Sequence, residues 1–133
     1  MTTTALLALG AEQYVLLTTF RKTGDAVGTP VWIAADADRL LVTTGGTSGK
    51  VKRLRHTERI ELTPCTARGV VTPGAATVTA RALVHTDAET LAVLDSALLG
   101  KYGLKYRAIR AAQRLRGSTT ESVALVITAG QTD

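Results

Sequence analysis

The residues whose types and spacing best suit a binding site lie in one run, TTGGTSGKVKRLR, from Thr43 to Arg55. Two glycines follow an apolar segment, Ser48 is placed to cap a helix, and Lys50 lies in the first turn of that helix. A helix N-terminus presents unpaired N–H groups and the positive end of the helix dipole, so it attracts anions. The run therefore predicts a phosphate site centred on Lys50, although a capped surface helix with a flexible lead-in gives the same local pattern.

The run does not fit a nucleotide-hydrolysing P-loop. The pattern GxxxxGK[ST] requires glycine where Thr44 stands and a hydroxyl residue where Val51 stands, and that hydroxyl is the usual magnesium ligand. On a helix, Arg53 shares a face with Lys50 better than Lys52 does. We therefore predict Arg53 as the second cationic contact and Lys52 as the weaker one.

A second feature is the segment GTPVW, from Gly28 to Trp32. Proline within a strand is confined to sheet edges and bulges. We interpret Pro30 as marking a strand that stops pairing locally and exposes backbone groups to a ligand. Trp32, the single tryptophan, is interpreted as a core residue.

The remaining candidates for chemistry are few. His56 and His85 are the only histidines, and neither has a partner pattern that indicates an acid–base dyad. Cys65 is the single cysteine, so it forms no internal disulfide and no zinc-type spacing. The sequence predicts no metal site.

Composition and charge favour a folded domain with an anionic partner. The 133 residues are 45% hydrophobic and carry a net charge of +5, which suits one domain over residues 1–133. Residues 50–59 hold five basic side chains against one acid, and residues 101–116 hold six against none. Such clusters indicate either an anionic partner or solvated helix faces. No apolar run fits a membrane span or a secretory signal, so we expect a cytoplasmic protein with no membrane partner.

Hydrophobic periodicity and turn signals predict a mainly β fold with helices. The strands are expected at Tyr14–Phe20, Ala26–Ala35, Leu40–Thr44, Ile60–Pro64, Thr77–His85 and, centrally in the sheet, Ser122–Thr128. The helices are expected at Thr4–Ala11, Ser48–His56, Ala88–Leu99 and Leu104–Leu115. Short loops between the first three strands predict an antiparallel meander in a closed barrel with helices on one side. Thr86 and Glu89 predict a capping box for the third helix.

The segments LLTTFRKTG, GTPVWIA and DRLLVTTGGTSGKVKRLRHTERIELTPCTARG together resemble the pyridoxamine-phosphate-oxidase-like split β-barrel superfamily. Within it, the chain is most similar to the actinobacterial class that binds the deazaflavin coenzyme F-420. The resemblance covers residues 13–69, and the KYG at Lys101 to Gly103 adds to it. It implies an α+β split β-barrel, similar to FMN-binding proteins, with six or so antiparallel strands and flanking helices.

The resemblance also implies a homodimer, with the cofactor in a groove between each barrel and its partner. It places the ring against the strand of Thr29, Pro30 and Val31, and places Pro64 and Cys65 on a neighbouring strand near the ring. It assigns the phosphate or phosphodiester to the segment of Thr43, Thr44, Ser48 and Lys50. The substrate-phosphate signature of a true pyridoxamine phosphate oxidase is missing, so that activity is not expected.

These features predict an oxidoreductase that uses coenzyme F-420 to transfer hydride to a small unsaturated or conjugated substrate. F-420 carries a poly-γ-glutamate tail beyond its phosphodiester, so the basic surroundings of Lys50 favour it over FMN. An FMN-dependent oxidoreductase and a non-catalytic flavin or deazaflavin carrier stay open as alternatives. A nucleic-acid-binding module is disfavoured, because the chain has one Trp, three Tyr and one Phe and no recognisable reading motif.

Overall fold

The computed structural model describes residues 2–46, 48–115 and 122–129, which form seven strands, four α-helices and one 3-10 turn. The strands are β1 (Val15–Phe20), β2 (Ala26–Val31), β3 (Ala34–Asp36), β4 (Arg39–Gly45), β5 (Arg59–Pro64), β6 (Val78–His85) and β7 (Ser122–Ala129). The helices are α1 (Thr2–Ala8), α2 (Gly49–Leu54), α3 (Ala88–Tyr102) and α4 (Leu104–Leu115), and the 3-10 turn is Leu9–Ala11. Apart from the second predicted strand, the predicted elements are present with small shifts at their ends.

All seven strands form one antiparallel sheet in the order β2-β1-β5-β6-β7-β4-β3. Its edge strands, β2 and β3, are consecutive in the chain and joined by Trp32 and Ile33 alone. Two residues can span only about 7–10 Å. The sheet therefore curls until its two edges approach each other, which confirms the split β-barrel with flanking helices.

Two sequence predictions about this region are wrong. The expected strand Ala26–Ala35 is divided into β2 and β3, because the chain crosses from one sheet edge to the other at Trp32 and Ile33. The expected meander is absent for the same reason. The β1–β2 and β3–β4 hairpins exist, but β2 and β3 lie at opposite edges of the sheet.

The barrel interior is filled by the inward side chains of the strands, together with α1 and the end of α2. In β6, Ala80 and Ala82 are fully buried, with Val78 and Val84 packed beside them, so every second residue of this strand faces the barrel core. The largest side chains of this core are Leu6, Leu17, Ile33, Leu40, Ile60, Leu62, Leu125 and Ile127. Dense packing of this kind fixes the positions of the strands on which the site lies.

A second core lies on the outer face of the sheet, where α3 and α4 pack against β3, β4 and β7. Leu94 and Leu98 of α3 and Tyr106 of α4 are buried against Ala124 and Val126 of β7. Because β7 contributes Leu125 and Ile127 to the other core, both of its faces are buried. The prediction that this unbroken apolar strand lies centrally in the sheet is confirmed.

The N-cap of α3 corrects a sequence prediction. Asp87, rather than Thr86, caps the helix: its Oδ2 accepts from the Thr90 N–H at 2.9 Å and from the Thr90 hydroxyl at 2.7 Å. The expected capping box of Thr86 and Glu89 is therefore wrong. Asp87 and Thr90, which have the same three-residue spacing one position later, form the cap instead. Within the described ranges, no helix combines the length and the apolar character that crossing a bilayer requires.

Candidate functional site

A cavity of about 260 Å³ lies in the split between the two edges of the sheet. β3 pairs only with Arg39–Leu41, so the rest of β4 has no strand beside it on that edge among the described residues. The end of β2 faces this open stretch, and α4 closes the space from the outer side. The lining residues are Pro30, Val31, Trp32, Thr43, Thr44, Lys50, Tyr106, Ile109, Arg110 and Ser122.

The β2 wall comes from the GTPVW segment. Pro30 lies on an edge strand, as the rule for strand proline predicts, but its pairing continues: Pro30 faces Leu16 of β1, and the strand ends only after Val31. The predicted loss of pairing at Pro30 is therefore wrong. Thr29, the preceding residue, points into the barrel opposite Leu17, and its buried hydroxyl has no hydrogen-bond partner in the described part of the chain.

The opposite wall holds the predicted anion-binding segment. Ser48 caps α2, since its Oγ accepts from the Val51 N–H at 3.4 Å, and it shares a hydrogen bond of 3.3 Å with Thr44. Lys50 lines the cavity, and burial followed by the charge of Arg53 lowers the pKa of its side chain. Because α2 has only six residues, few peptide dipoles are aligned, and the Lys50 ammonium carries most of the attraction for an anion.

Arg53 has a partner within the protein. Its Nε donates to the hydroxyl of Thr19, a fully buried residue of β1, at 2.6 Å. A Cβ on Gly49 would lie 2.7 Å from Arg53 Nη1, so the glycine leaves room for the guanidinium. Arg53 is not among the cavity-lining residues. The structure places it as a support beneath α2, and Lys52 is exposed.

Trp32 and Tyr102 fix the crossover between β2 and β3. Their rings stack with centroids 4.3 Å apart and an angle of 7° between planes. The Tyr102 hydroxyl accepts from the Ile33 N–H at 3.1 Å and lies 2.7 Å from the carbonyl oxygen of Gln13, to which it donates. Trp32 is thus held by α3 while its ring lines the cavity, which the interpretation as a core residue did not anticipate.

Lys101 completes this arrangement, which we call the crossover clasp (Trp32, Ile33, Lys101 and Tyr102). Its ammonium donates to the carbonyl oxygens of Gly10, Glu12 and Ile33. Burial lowers the pKa of Lys101, and the charge of Glu12 opposes that effect. The KYG sequence therefore acts as a structural brace, a role that no local pattern indicated.

The wall formed by α4 was not predicted from the sequence. Tyr106 is buried and donates its hydroxyl proton to Asp95, and burial together with this bond raises its pKa to about 12. Arg110 lies above the Tyr106 ring, with Cζ 5.9 Å from the centroid. The basic pattern of α4 was visible in the sequence. That α4 lines one cavity with residues of β2 and β4, more than 60 positions earlier in the chain, has no local signal.

Pro64 and Cys65 lie away from the cavity. Pro64 pairs with Val15, which pairs with Val31 on its other side, so β1 separates Pro64 from the β2 wall by two strand spacings, about 9–10 Å. Cys65 is buried, and burial raises the pKa of its thiol, which is therefore protonated at neutral pH. Among the described residues, no group of three or more His, Cys, Asp and Glu side chains is arranged to hold a metal ion.

Comparison with known proteins identifies the family. Residues 2–129 match the family model of pyridoxamine 5'-phosphate oxidase. This chain belongs to the pyridoxamine 5'-phosphate oxidase-like family. The match spans the whole barrel, including the cavity walls contributed by β2, β4 and α4. A search of curated protein sequences found no significant match.

Solved structures share the fold of this pyridoxamine 5'-phosphate oxidase-like chain at low identity. A conserved hypothetical protein from Mycobacterium tuberculosis has a TM-score of 0.69 and 17% identity, over 98% of this chain and 82% of that one. A FAD-binding protein from Mesorhizobium loti has a TM-score of 0.61 and 17% identity, over 96% and 85%. A heme storage protein from Vibrio cholerae has a TM-score of 0.67 and 9% identity, over 92% and 84%. These similarities show the fold.

Proposed function

We propose that this protein is an oxidoreductase that binds a flavin-type cofactor in the cavity, with coenzyme F-420 as the leading candidate. The observation that carries the proposal is the meeting of two walls: Pro30, Val31 and Trp32 on one side, and Thr43, Thr44 and Lys50 on the other. The first wall is apolar and aromatic and suits a planar ring. The second offers hydroxyls and an ammonium and suits a phosphate.

A further observation supports an anionic ligand. None of the described residues that line the cavity beside Lys50 carries a carboxylate. An anionic ligand supplies the counter-charge that the described residues do not provide there.

When bound, a flavin or deazaflavin would supply hydride chemistry toward the substrate, with the accompanying proton taken from water. The chain contributes binding and orientation. Lys50 and the hydroxyls of Thr43 and Thr44 hold the phosphate, while Val31 and Trp32 shape the ring pocket. The substrate is expected to be small and unsaturated or conjugated.

The charge around α2 favours F-420 over FMN. Lys52 and Arg55 are exposed on this short helix close to Lys50. FMN brings one phosphate, whereas F-420 brings a phosphodiester followed by several carboxylates. Additional cations beside the phosphate position therefore complement F-420 better. FMN is the alternative cofactor.

The size of the cavity supports a homodimer. Sites that enclose small molecules usually measure about 300–1,000 Å³, and this cavity measures about 260 Å³. One chain therefore encloses only part of a ring with its phosphate chain. A second copy of the chain is proposed to cover the rest.

Titration with F-420 and with FMN, followed by the fluorescence of each cofactor, tests the proposal. Lys50→Met is expected to weaken binding by about 10- to 150-fold, because a charge-assisted hydrogen bond contributes about 1.5–3 kcal/mol. Lys52→Met is the matched control: it removes an exposed charge from the same helix. It should change the affinity for FMN, which has no carboxylate tail, less than threefold, and should weaken F-420 less than Lys50→Met does. Micromolar affinity for neither cofactor, or equal losses in the two variants, would contradict the proposal.

The pH dependence of binding gives a second readout. A bound phosphate favours the charged form of Lys50, whose pKa is lowered in the free protein, so binding takes up a proton at pH values between the free and bound pKa. Affinity should fall as pH rises through the lowered pKa of Lys50. It is measured above pH 8, where the FMN phosphate (second pKa about 6) and the F-420 phosphodiester both keep a constant charge. Lys50→Met should abolish this fall. A carrier function would be favoured instead if the reduced complex transfers hydride to no acceptor in a panel of conjugated compounds.

A further inference from the structure

Arg110 is the second basic side chain of the cavity, and no described acidic residue lines the cavity beside it. It lines the cavity together with Lys50, although the two residues come from different walls, α4 and α2. Arg110 also forms no ion pair with any described residue.

The described acidic residue that lines a cavity together with Arg110 is hydrogen-bonded to another side chain. Asp95 lies in a neighbouring cavity of about 310 Å³, which shares Tyr106 and Arg110 with the first. Asp95 accepts the hydroxyl proton of Tyr106, and it makes no salt bridge with Arg110. The Tyr106 ring lies beneath the guanidinium, with Cζ 5.9 Å from its centroid, and restricts where the guanidinium can go. Arg110 is therefore placed at the junction of two cavities with its hydrogen-bonding edge available.

We propose that Arg110 is a specificity-determining residue that binds a carboxylate or phosphate oxyanion at the α4 wall, apart from the phosphate position at Lys50. The planar guanidinium suits bidentate binding of an oxyanion. Ser122, in the same lining, adds a hydroxyl that can donate to it. The site then selects acidic ligands over neutral analogues of the same shape.

This inference rests on the proposed function for the position of the cofactor, but the oxyanion has two possible sources. It belongs either to an acidic substrate that lies beside the ring or to the distal part of the cofactor. An acidic substrate suits the location of Arg110, which lines the cavity together with Trp32 and Val31 of the ring wall. The experiment separates the two sources.

Calorimetric titrations use Arg110→Gln and, as the matched control, Lys105→Gln, which removes an exposed charge from the same helix outside the lining of both cavities. The probes are cinnamate and its neutral analogue cinnamamide, each added to cofactor-free and to cofactor-loaded protein. Wild type and Lys105→Gln should bind cinnamate about tenfold or more tightly than cinnamamide, and Arg110→Gln should bind the two equally. If the cofactor is the source, Arg110→Gln weakens F-420 about tenfold, leaves FMN within twofold, and shows no change in the cinnamate preference.

The inference is overturned if Arg110→Gln changes neither the preference for cinnamate nor the affinity for F-420, or if Lys105→Gln has the same effect. Failure of the proposed function gives a different pattern. In that case neither cofactor binds the wild type, and an Arg110-dependent preference for cinnamate in cofactor-free protein still supports the oxyanion site. Cofactor binding that depends on Lys50, without any anion preference due to Arg110, supports the proposed function alone.

Discussion

The crossover clasp makes a sharp prediction for Tyr102→Phe, which removes one hydroxyl and keeps the ring stacked on Trp32. The hydroxyl is hydrogen-bonded to the backbone of two residues, Gln13 and Ile33, and losing the two bonds has unequal effects on stability. Gln13 is exposed, so its carbonyl can bond to water instead. Ile33 is fully buried, so its N–H, which donates to this hydroxyl at 3.1 Å, loses its partner where water has little access.

The expected loss of stability in Tyr102→Phe follows from the different access of water to these two backbone groups. A buried donor left unsatisfied costs about 1–3 kcal/mol, and the replaced Gln13 bond costs about 0.5 kcal/mol. We expect Tyr102→Phe to lower the free energy of unfolding by about 2 kcal/mol. For a domain of this size that corresponds to a fall of about 6–10 °C in the midpoint.

Urea unfolding followed by circular dichroism measures the change, and the emission of the single tryptophan, Trp32, reports the crossover directly. Tyr14→Phe is the control, since the half-buried Tyr14 hydroxyl makes no hydrogen bond with any described residue. It should alter stability by less than about 0.5 kcal/mol. The proposed effect of the Tyr102 hydroxyl is refuted if the free energy of unfolding of Tyr102→Phe stays within about 0.5 kcal/mol of wild type at an unchanged denaturant slope. It is also refuted if Tyr102→Phe and Tyr14→Phe lose the same free energy of unfolding.

Two further predictions concern stability. Arg53→Met should lower the free energy of unfolding by about 1–3 kcal/mol, because it leaves the fully buried Thr19 hydroxyl without its partner. Adding Thr19→Val should recover most of that loss. A double-mutant cycle in urea tests this, and additive losses would contradict it. Asp87→Asn should flatten the pH dependence of the thermal midpoint between pH 4 and 2. Hydrogen bonds from Thr90 lower the pKa of Asp87 from 3.8 to about 2, so its stabilising effect is complete above pH 4 and is lost as pH falls through 2. If the thermal midpoint of wild type and of Asp87→Asn falls with the same slope against pH, the Asp87 carboxylate does not stabilise the fold in this way.

Local patterns predicted the elements of the fold well because the responsible interactions are local. Ser48 caps α2 through a hydrogen bond three residues away, and β6 buries alternate residues, as period-two hydrophobicity requires. The third helix shows the limit of local reasoning. Thr86 and Asp87 are both competent caps with suitable partners, and only the packing of α3 selects between them.

Pairing across the sheet was harder to predict. The break at Trp32 and Ile33 interrupts an apolar run that is continuous in sequence, so periodicity merges β2 with β3. The residues that line the cavity from β2 and β4 were identified in advance, because the resemblance concerns those segments. The contributions of Tyr106 and Arg110, and the Arg53–Thr19 bond across 34 positions, depend on contacts between distant segments and leave no trace in residue spacing.

The position of β7 has a consequence for how the chain acquires its site. This strand joins the sheet's two parts, β2-β1-β5-β6 and β4-β3, and it is the last of the described strands in sequence. Until β7 inserts, no ladder connects the two hairpins that flank the crossover. Such long-range pairing is slow relative to local structure. During synthesis the cavity therefore assembles only after Ser122 and the rest of β7 leave the ribosome, so ligand binding can stabilise only a chain that already includes β7.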